Sequence, residues 1–271
     1  LSSIALAGES FDGEGRAVEG SRYFQSPYLY KENGFKKKEH AQMLIDQLMV
    51  NQPLSCTVEK VERKKENKNP PLLFNLAELQ NVCSKLFKIS PDETLRIVQE
   101  LYEKKLVTYP RTDARVLSTA VAKEIYKNIS GLKRYTPMAA YADEVLNMGS
   151  YKTIAKTKYV NDKQITDHYA IIPTGQLTEL GKLNTLQKSV FDLIVRRFLS
   201  VFYPAAEYQK LSMTLAKQDE FLFANFKYML KEGYLKVATN RFARKKDDTK
   251  YSPEFIETIG HLKKGDILSL D

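Results

Sequence analysis

Apolar and polar residues alternate at both ends of the chain and recur every three to four positions in its middle. Near the N-terminus "SSIALAG" and "SCTVEKVE" carry the two-residue period of short strands, with one helical stretch, "KKKEHAQMLIDQLMV", between them. Further on, "NLAELQNVCSKLF" sets Leu76, Leu79, Cys83 and Leu86 on one helical face behind Asn75, a residue type whose side chain caps helices. "SPDETLRIVQELYEKKL" begins with Ser90 as N-cap, Pro91 at the first helical position and Glu93 at the third, a capping-box pattern. Its expected buried stripe is Leu95, Val98, Leu101 and Tyr102. "STAVAKEIYKNISG" spaces Val121, Ile125 and Ile129 four apart, with Ser118 as cap and Gly131 as stop. "MAAYADEVLNMG" ends on glycine in the same way. "NTLQKSVFDLIVRRFLSVFYP" is the longest predicted helix and stops before Pro204. Beyond it, "EYQKLSMTLAK" puts Leu211, Met213 and Leu215 on one strand face, and "FLFANFKYM" and "GYLKVAT" read as strands too. "IGHLKKGDILSL" reads as a turn joining two strand ends.

These patterns define three sections: residues 1–69, 70–203 and 204–271. The first and last share a β character that the middle lacks, so the expected class is α+β. One discontinuous β-rich domain carries a mainly helical domain inserted into it. The charged stretch "RKKENKNPP", closed by Pro70 and Pro71, reads as a linker or as a strand crossing between domains. Within the helical section, two helices separated by a short turn lead into the strand-like "LVTY", an order compatible with a helix-turn-helix or winged module. There is no internal repeat, and "RFARKKDDTKYS" reads as a mobile loop.

Composition narrows the choice of partner. The chain has 271 residues, 42 Lys+Arg against 33 Asp+Glu, and a formal net charge of +9. Such an excess favours polyanionic partners. The two cysteines, Cys56 and Cys83, sit in apolar patterns and read as buried free thiols of a reducing compartment. No run of about 18 apolar residues is present, so no transmembrane helix is expected. The N-terminal stretch lacks the features of a signal peptide. The first residue is not Met, which suggests a piece of a longer protein.

The densest candidate chemistry lies in "LVTYPRTDARVLS", Leu106 to Ser118. A tyrosine hydroxyl, with an ordinary pKa of about 10, is a poor nucleophile unless cations favour the phenolate. A bidentate arginine can hold a phosphodiester and stabilise the charge that grows on its oxygens. Tyr109 and Arg111 are two apart, so on a strand they would share a face with Cα atoms roughly 6–7 Å apart. Pro110 would stiffen the segment. Asp113 continues the alternation and can orient a cation or a water. A strand-terminal turn with a surface ion pair explains the same residues. A second stretch, "QITDHYAIIPTG", presents His168 beside Asp167; an imidazole there can donate to a phosphate, or serve only as a hydrogen-bonded structural group.

Together, "LYEKKLVTYPRTDARVLS" and, some sixty residues later, "DHYAIIPT" resemble the signature pair of type IA DNA topoisomerases of the topoisomerase III-like branch. "PPLLFNLAELQ" and "FDLIVRRFLSVFYPAA" add to the resemblance, which is most specific between residues 70 and 206. It implies an isomerase that cuts one DNA strand without ATP, keeps the 5′ phosphate on tyrosine, passes another strand and reseals. It implies Tyr109 as nucleophile, with Arg111 and His168 beside the scissile phosphate. Thr112, Asp113, Arg115, Asp167 and Thr174 fall in the same motifs as supporting or DNA-contacting residues. The implied partner is DNA, mainly single-stranded, in the cytoplasm at the nucleoid; whether the protein is a monomer is left open. The implied fold is a β-rich arch carrying an inserted helical tyrosine domain.

Two departures qualify the match. The family's toprim domain binds Mg2+ through a DxDxE cluster, and this chain has none; its acidic pair Asp247–Asp248 lies in a polar loop. The expected protein therefore lacks its own metal site and should bind DNA without relaxing it. Ala114 stands where the branch often has Ser, and Tyr169 where it often has a second His. Three other classes compete. A tyrosine recombinase would place its tyrosine near the C-terminal end. A non-catalytic winged-helix DNA binder explains the helix pair and the charge, but not the two motifs. A structural or protein-interaction domain needs no chemistry at all.

Overall fold

The computed structural model describes residues 2–30, 34–50, 54–239 and 251–270. They form two compact units: Leu1–Glu66 with Tyr208–Leu230 and Lys246–Asp271, and Asn67–Glu207 with Lys231–Lys245.

The first unit is built on a closed barrel. Its strands are β1 (Ser2–Leu6), β2 (Glu9–Gly15), β5 (Ser55–Lys68), β6 (Ala206–Lys217), β7 (Glu220–Lys231) and β8 (Ile267–Leu270), ordered β1-β2-β7-β6-β5-β8. Antiparallel pairing of Ile4 with Leu270 closes the ring, and Ile4 also faces Phe11 across β2. Two of the ring's ladders are short: β5 pairs with β8 at Ser55 to Thr57, and β2 with β7 at Glu14 and Gly15. A separate two-stranded ribbon, β3 (Leu29–Tyr30) and β4 (Gly34–Phe35), precedes α1 (Lys38–Met49). Along β6 the buried Leu211, Met213 and Leu215 alternate with more exposed residues, as the two-residue period requires. They meet Ile4, Phe11, Val58 and Phe226 in the barrel core. Phe11 and Phe226 pack edge to face at 5.0 Å.

Of the two readings of the charged stretch, the strand holds: "RKKENK" continues β5 to Lys68. Two sequence expectations are corrected in and around this unit. "GYLKVAT" is not a strand; it forms a short helix, α7 (Leu235–Ala238). The "IGHLKKGDILSL" stretch begins as the end of a helix, α8 (Pro253–His261), and only its last residues are strand. Ser252 caps α8 through the Phe255 amide, and Phe255 and Ile259 enter the core fully buried. Most of the patch read as a mobile loop, and Asp247–Asp248 with it, lies outside the described residues.

The second unit contains α2 (Leu76–Phe87), α3 (Pro91–Glu103), α4 (Thr119–Gly131), α5 (Ala139–Met148), α6 (Thr185–Ser200) and α7. Asn75, Ser90 and Ser118 cap their helices through side-chain oxygens, as their residue types predict. Ser90 accepts from the Glu93 amide, but the return bond of a capping box is absent because Glu93 pairs with Arg96 at 3.2 Å. The full box occurs at α6, between Asn184 and Gln187. The buried stripe of α3 is Thr94, Ile97, Val98 and Leu101; Tyr102 lies outside it. Cys83, like Cys56, is a buried free thiol. Burial pushes these thiols up to about 12 and about 11. No helix among the described residues is long and apolar enough to cross a membrane.

Gly131, the predicted stop, is the last residue of α4, with helical φ, and the chain continues into a 3-10 turn at Leu132–Arg134. Its need for glycine is steric: a Cβ there would sit 2.1 Å from the Gly175 carbonyl oxygen. Gly131→Ala should therefore destabilise the unit by about 1–3 kcal/mol in urea unfolding, as forced overpacking does. Gly181→Ala, where a Cβ meets nothing within 4 Å, should stay within about 0.5 kcal/mol.

Candidate active site

The run 106–109 has the apolar content of a strand but makes only one bridge, Val107 with Pro173. Tyr109 to Arg115 are irregular, because this segment is held by side chains and by single backbone bonds to a second irregular segment, 168–174. Thr108 donates to the Ala170 carbonyl at 3.1 Å and accepts from the Ile172 amide at 3.0 Å. Its own amide donates to the Ile172 carbonyl at 2.9 Å. Thr112, buried, donates to the His168 carbonyl at 3.1 Å and accepts from the Ala114 amide. Thr174 donates to the Lys105 carbonyl at 2.6 Å. Three threonine hydroxyls thus join segments about sixty residues apart.

The consequence is a cluster of rings. Tyr109 and His168 lie 4.2 Å apart between centroids with planes inclined by 37°. Tyr102, the residue left outside the α3 stripe, packs edge-on against Tyr109 at 5.5 Å. Tyr109 is half-buried, and His168, Arg111, Asp113 and Asp167 are exposed. Arg111 and Asp113 make no ion pair with each other, and both are exposed. Asp113 is fixed through its backbone, whose carbonyl accepts from Asn75 at 3.1 Å. Tyr169 is half-buried, and burial raises its phenol pKa.

Arg115 differs from Arg111. Its guanidinium donates to the Leu73 carbonyl at 3.2 Å and lies 3.9 Å from Glu78. Glu78 also faces Arg197 at 3.7 Å, and Arg197 stacks over Phe74 at 3.9 Å while donating to the Leu72 carbonyl. Burial brings the Arg197 guanidinium down to about 10, opposed by Glu78. This group ties segment 72–78 beneath the loop that carries Tyr109. The sequence reading named neither Arg197 nor Glu78. Nor did it single out Thr108, whose threonine beside an apolar run is unremarkable in sequence. Among the described residues no three His, Cys, Asp or Glu side chains gather as a metal-binding group.

A tyrosine and an imidazole in contact, a free guanidinium two residues away and an apolar frame beneath them suit chemistry on a phosphodiester. Comparison with known proteins gives the class. A family model described as DNA topoisomerase matches residues 15–271, so the chain belongs to that family, and its relatives mark it as type IA. DNA topoisomerase 3 of Bacillus cereus is 34% identical over 220 residues, covering 80% of this chain and 29% of the relative. DNA topoisomerase 3 of Bacillus subtilis is 33% identical over 257 residues, covering 94% of this chain and 34% of the relative. The chain thus spans about a third of the length of these relatives. Full-length topoisomerase I from Thermotoga maritima shares the fold, with a TM-score of 0.58 at 20% identity over 99% of this chain and 39% of that one.

Thr112→Val should lower stability by about 1–3 kcal/mol, because it leaves the His168 carbonyl and the Ala114 amide without their partner. Thr112→Ser should recover most of it. Urea unfolding measures both.

Proposed function

We propose that this chain supplies the strand-cleaving half of a type IA DNA topoisomerase, with Tyr109 as nucleophile. The Tyr109 oxygen bonds to phosphorus as the bond from phosphorus to the 3′ oxygen breaks. The phenol gives up its proton, and the departing 3′ oxygen takes one up. The 5′ phosphate stays on tyrosine, so one ester replaces another and no ATP is needed. Reversal after strand passage reseals the DNA. Arg111 holds the phosphate through its guanidinium fork and stabilises the charge of the pentacovalent state. His168 donates to a phosphate oxygen or orients the phenol. Thr112 and Thr174 keep the two segments in register, Arg115 holds segment 72–78 to the tyrosine loop, and Asp113 and Asp167 line the approach of the strand.

One observation supports this reading above the others: the contact of the Tyr109 and His168 rings at 4.2 Å, made by residues from two distant motifs. A winged-helix binder would have no use for it. The partner is DNA, mainly single-stranded, and the enzyme is cytoplasmic and nucleoid-associated. Mg2+ would belong to a toprim domain elsewhere in the parent enzyme; the residues described here do not fit such a site, and no step above runs through it.

In the natural-length enzyme, Tyr109→Phe should abolish the covalent protein–DNA adduct seen on denaturing gels, with oligonucleotide affinity nearly unchanged. Arg111→Ala should slow cleavage by about 10²–10³, the usual effect of removing one donor to the developing charge. An adduct surviving in the Tyr109→Phe protein would overturn the assignment. The 271-residue chain by itself should bind oligothymidylate with an affinity that falls with salt, log K against log [salt] having a slope of about −0.7 per phosphate contacted. It should not relax supercoiled plasmid with or without Mg2+.

A further inference from the structure

A second cleft in the helical unit shares no residue with the Tyr109 cluster. Its volume is about 490 Å³, within the ~300–1,000 Å³ typical of small-ligand sites. One wall is α6 and the other is the turn that follows α4, from Arg134 to Pro137. The surface is mostly apolar; Pro137 is exposed and Leu180 half-buried along it, and the buried Tyr135 lies at its base. Tyr135 is anchored: its ring packs edge-on to Phe191 at 5.2 Å, and its hydroxyl donates to Asp192 at 3.0 Å.

The charges in this cleft are unequally satisfied. Asp192, its one carboxylate, is neutralised by Arg196 at 2.7 Å as well as by Tyr135. Arg196 is spent in turn on the Val237 and Thr239 carbonyls. Arg134 and Lys188 are exposed at the rim, and neither makes an ion pair among the described residues. The side-chain hydroxyls of Thr136 and Thr185 in the same cleft are also without partners there. A cleft with an apolar floor, two unpaired cations, two free hydroxyls and no free carboxylate selects an anion that carries a flat, weakly polar body.

We propose that this cleft binds one nucleotide, with the phosphate between Arg134 and Lys188, the base against Pro137 and Leu180, and the threonine hydroxyls on the base edge or sugar. The nucleotide is either free or part of a DNA strand lying across the helical unit away from Tyr109. This site does not depend on the role of Tyr109.

The test uses the natural-length protein and two probes, thymidine 5′-monophosphate and a short oligothymidylate. Calorimetry should show mononucleotide binding that weakens about tenfold or more in Arg134→Ala/Lys188→Ala, since each lost bond involved a charged donor, and that persists in Tyr109→Phe. Both substituted residues are exposed, and Lys188→Gln alone should give a smaller loss in the same direction. If the slope of oligothymidylate affinity against salt also becomes shallower by about 0.7–1.4, one or two phosphates of a strand are held there. If it does not change, the site takes free nucleotide; either result supports the nucleotide chemistry. Three results would overturn it: binding unaffected by the double substitution, inorganic phosphate binding as tightly as the nucleotide, or polyglutamate competing equally well, which would make the cleft a site for an acidic peptide.

Discussion

Two loops without regular structure are held to each other by threonine hydroxyls, and the candidate active site depends on that junction. A strand ladder would have fixed the pair at a regular spacing. Here the backbone is irregular, so each carbonyl and amide that leaves solvent needs its own partner. Thr108, Thr112 and Thr174 supply them, and the His168 carbonyl is one of the groups they hold. Because that carbonyl is held to Thr112, the imidazole reaches the Tyr109 ring at 4.2 Å, across about sixty residues of sequence. Glycine serves the same end from the other side. The Gly131 and Gly175 backbones meet at a distance no Cβ would allow, which lets the segment carrying His168 settle against α4.

The cations of the helical unit divide into two groups by what they touch. Arg197 and Arg115 face Glu78 and the carbonyls of residues 72 and 73, and Arg196 faces Asp192; these three are structural, and burial accounts for the lowered Arg197 pKa. Arg111, Arg134 and Lys188 are exposed and make no ion pair among the described residues. An unpaired exposed cation costs the fold little and adds to the positive field that draws in a polyanion. Three of the cations behind the net charge of +9 are placed in this way, two at the cleft of Arg134 and one, Arg111, two residues from Tyr109.

Much of the fold was legible because local rules were enough. Asn75, Ser90 and Ser118 begin helices whatever lies around them, since the cap is made within three residues. The alternation of Leu211, Met213 and Leu215 requires a strand with one buried face. Where the reading failed, the signal was either overlooked or not local. Ser252–Pro253–Glu254 has the same start signal as Ser90–Pro91–Asp92, and the helix it opens was overlooked although Phe255, Ile256 and Ile259 follow at helical spacing. The four residues of α7 carry too little periodicity to tell helix from strand. "LVTY" has the composition of a strand but finds one bridging partner and no more, and a sequence does not show how many partners a run will meet.

The sequence by itself determined α1 to α6 and the caps at Asn75, Ser90 and Ser118, the β character of both ends, the two motifs and, through them, the family. These are set by interactions within a few residues or by the identity of the reactive side chains. Only the tertiary structure decided that the strands close into a barrel, that Tyr102 turns outward against Tyr109, that Arg115 is tied down while Arg111 is free, and that Asp113 stands apart from Arg111. Each of these depends on which distant backbone groups and side chains become neighbours. That is fixed by the packing of whole elements, and residues so far apart in the chain carry no local trace of it.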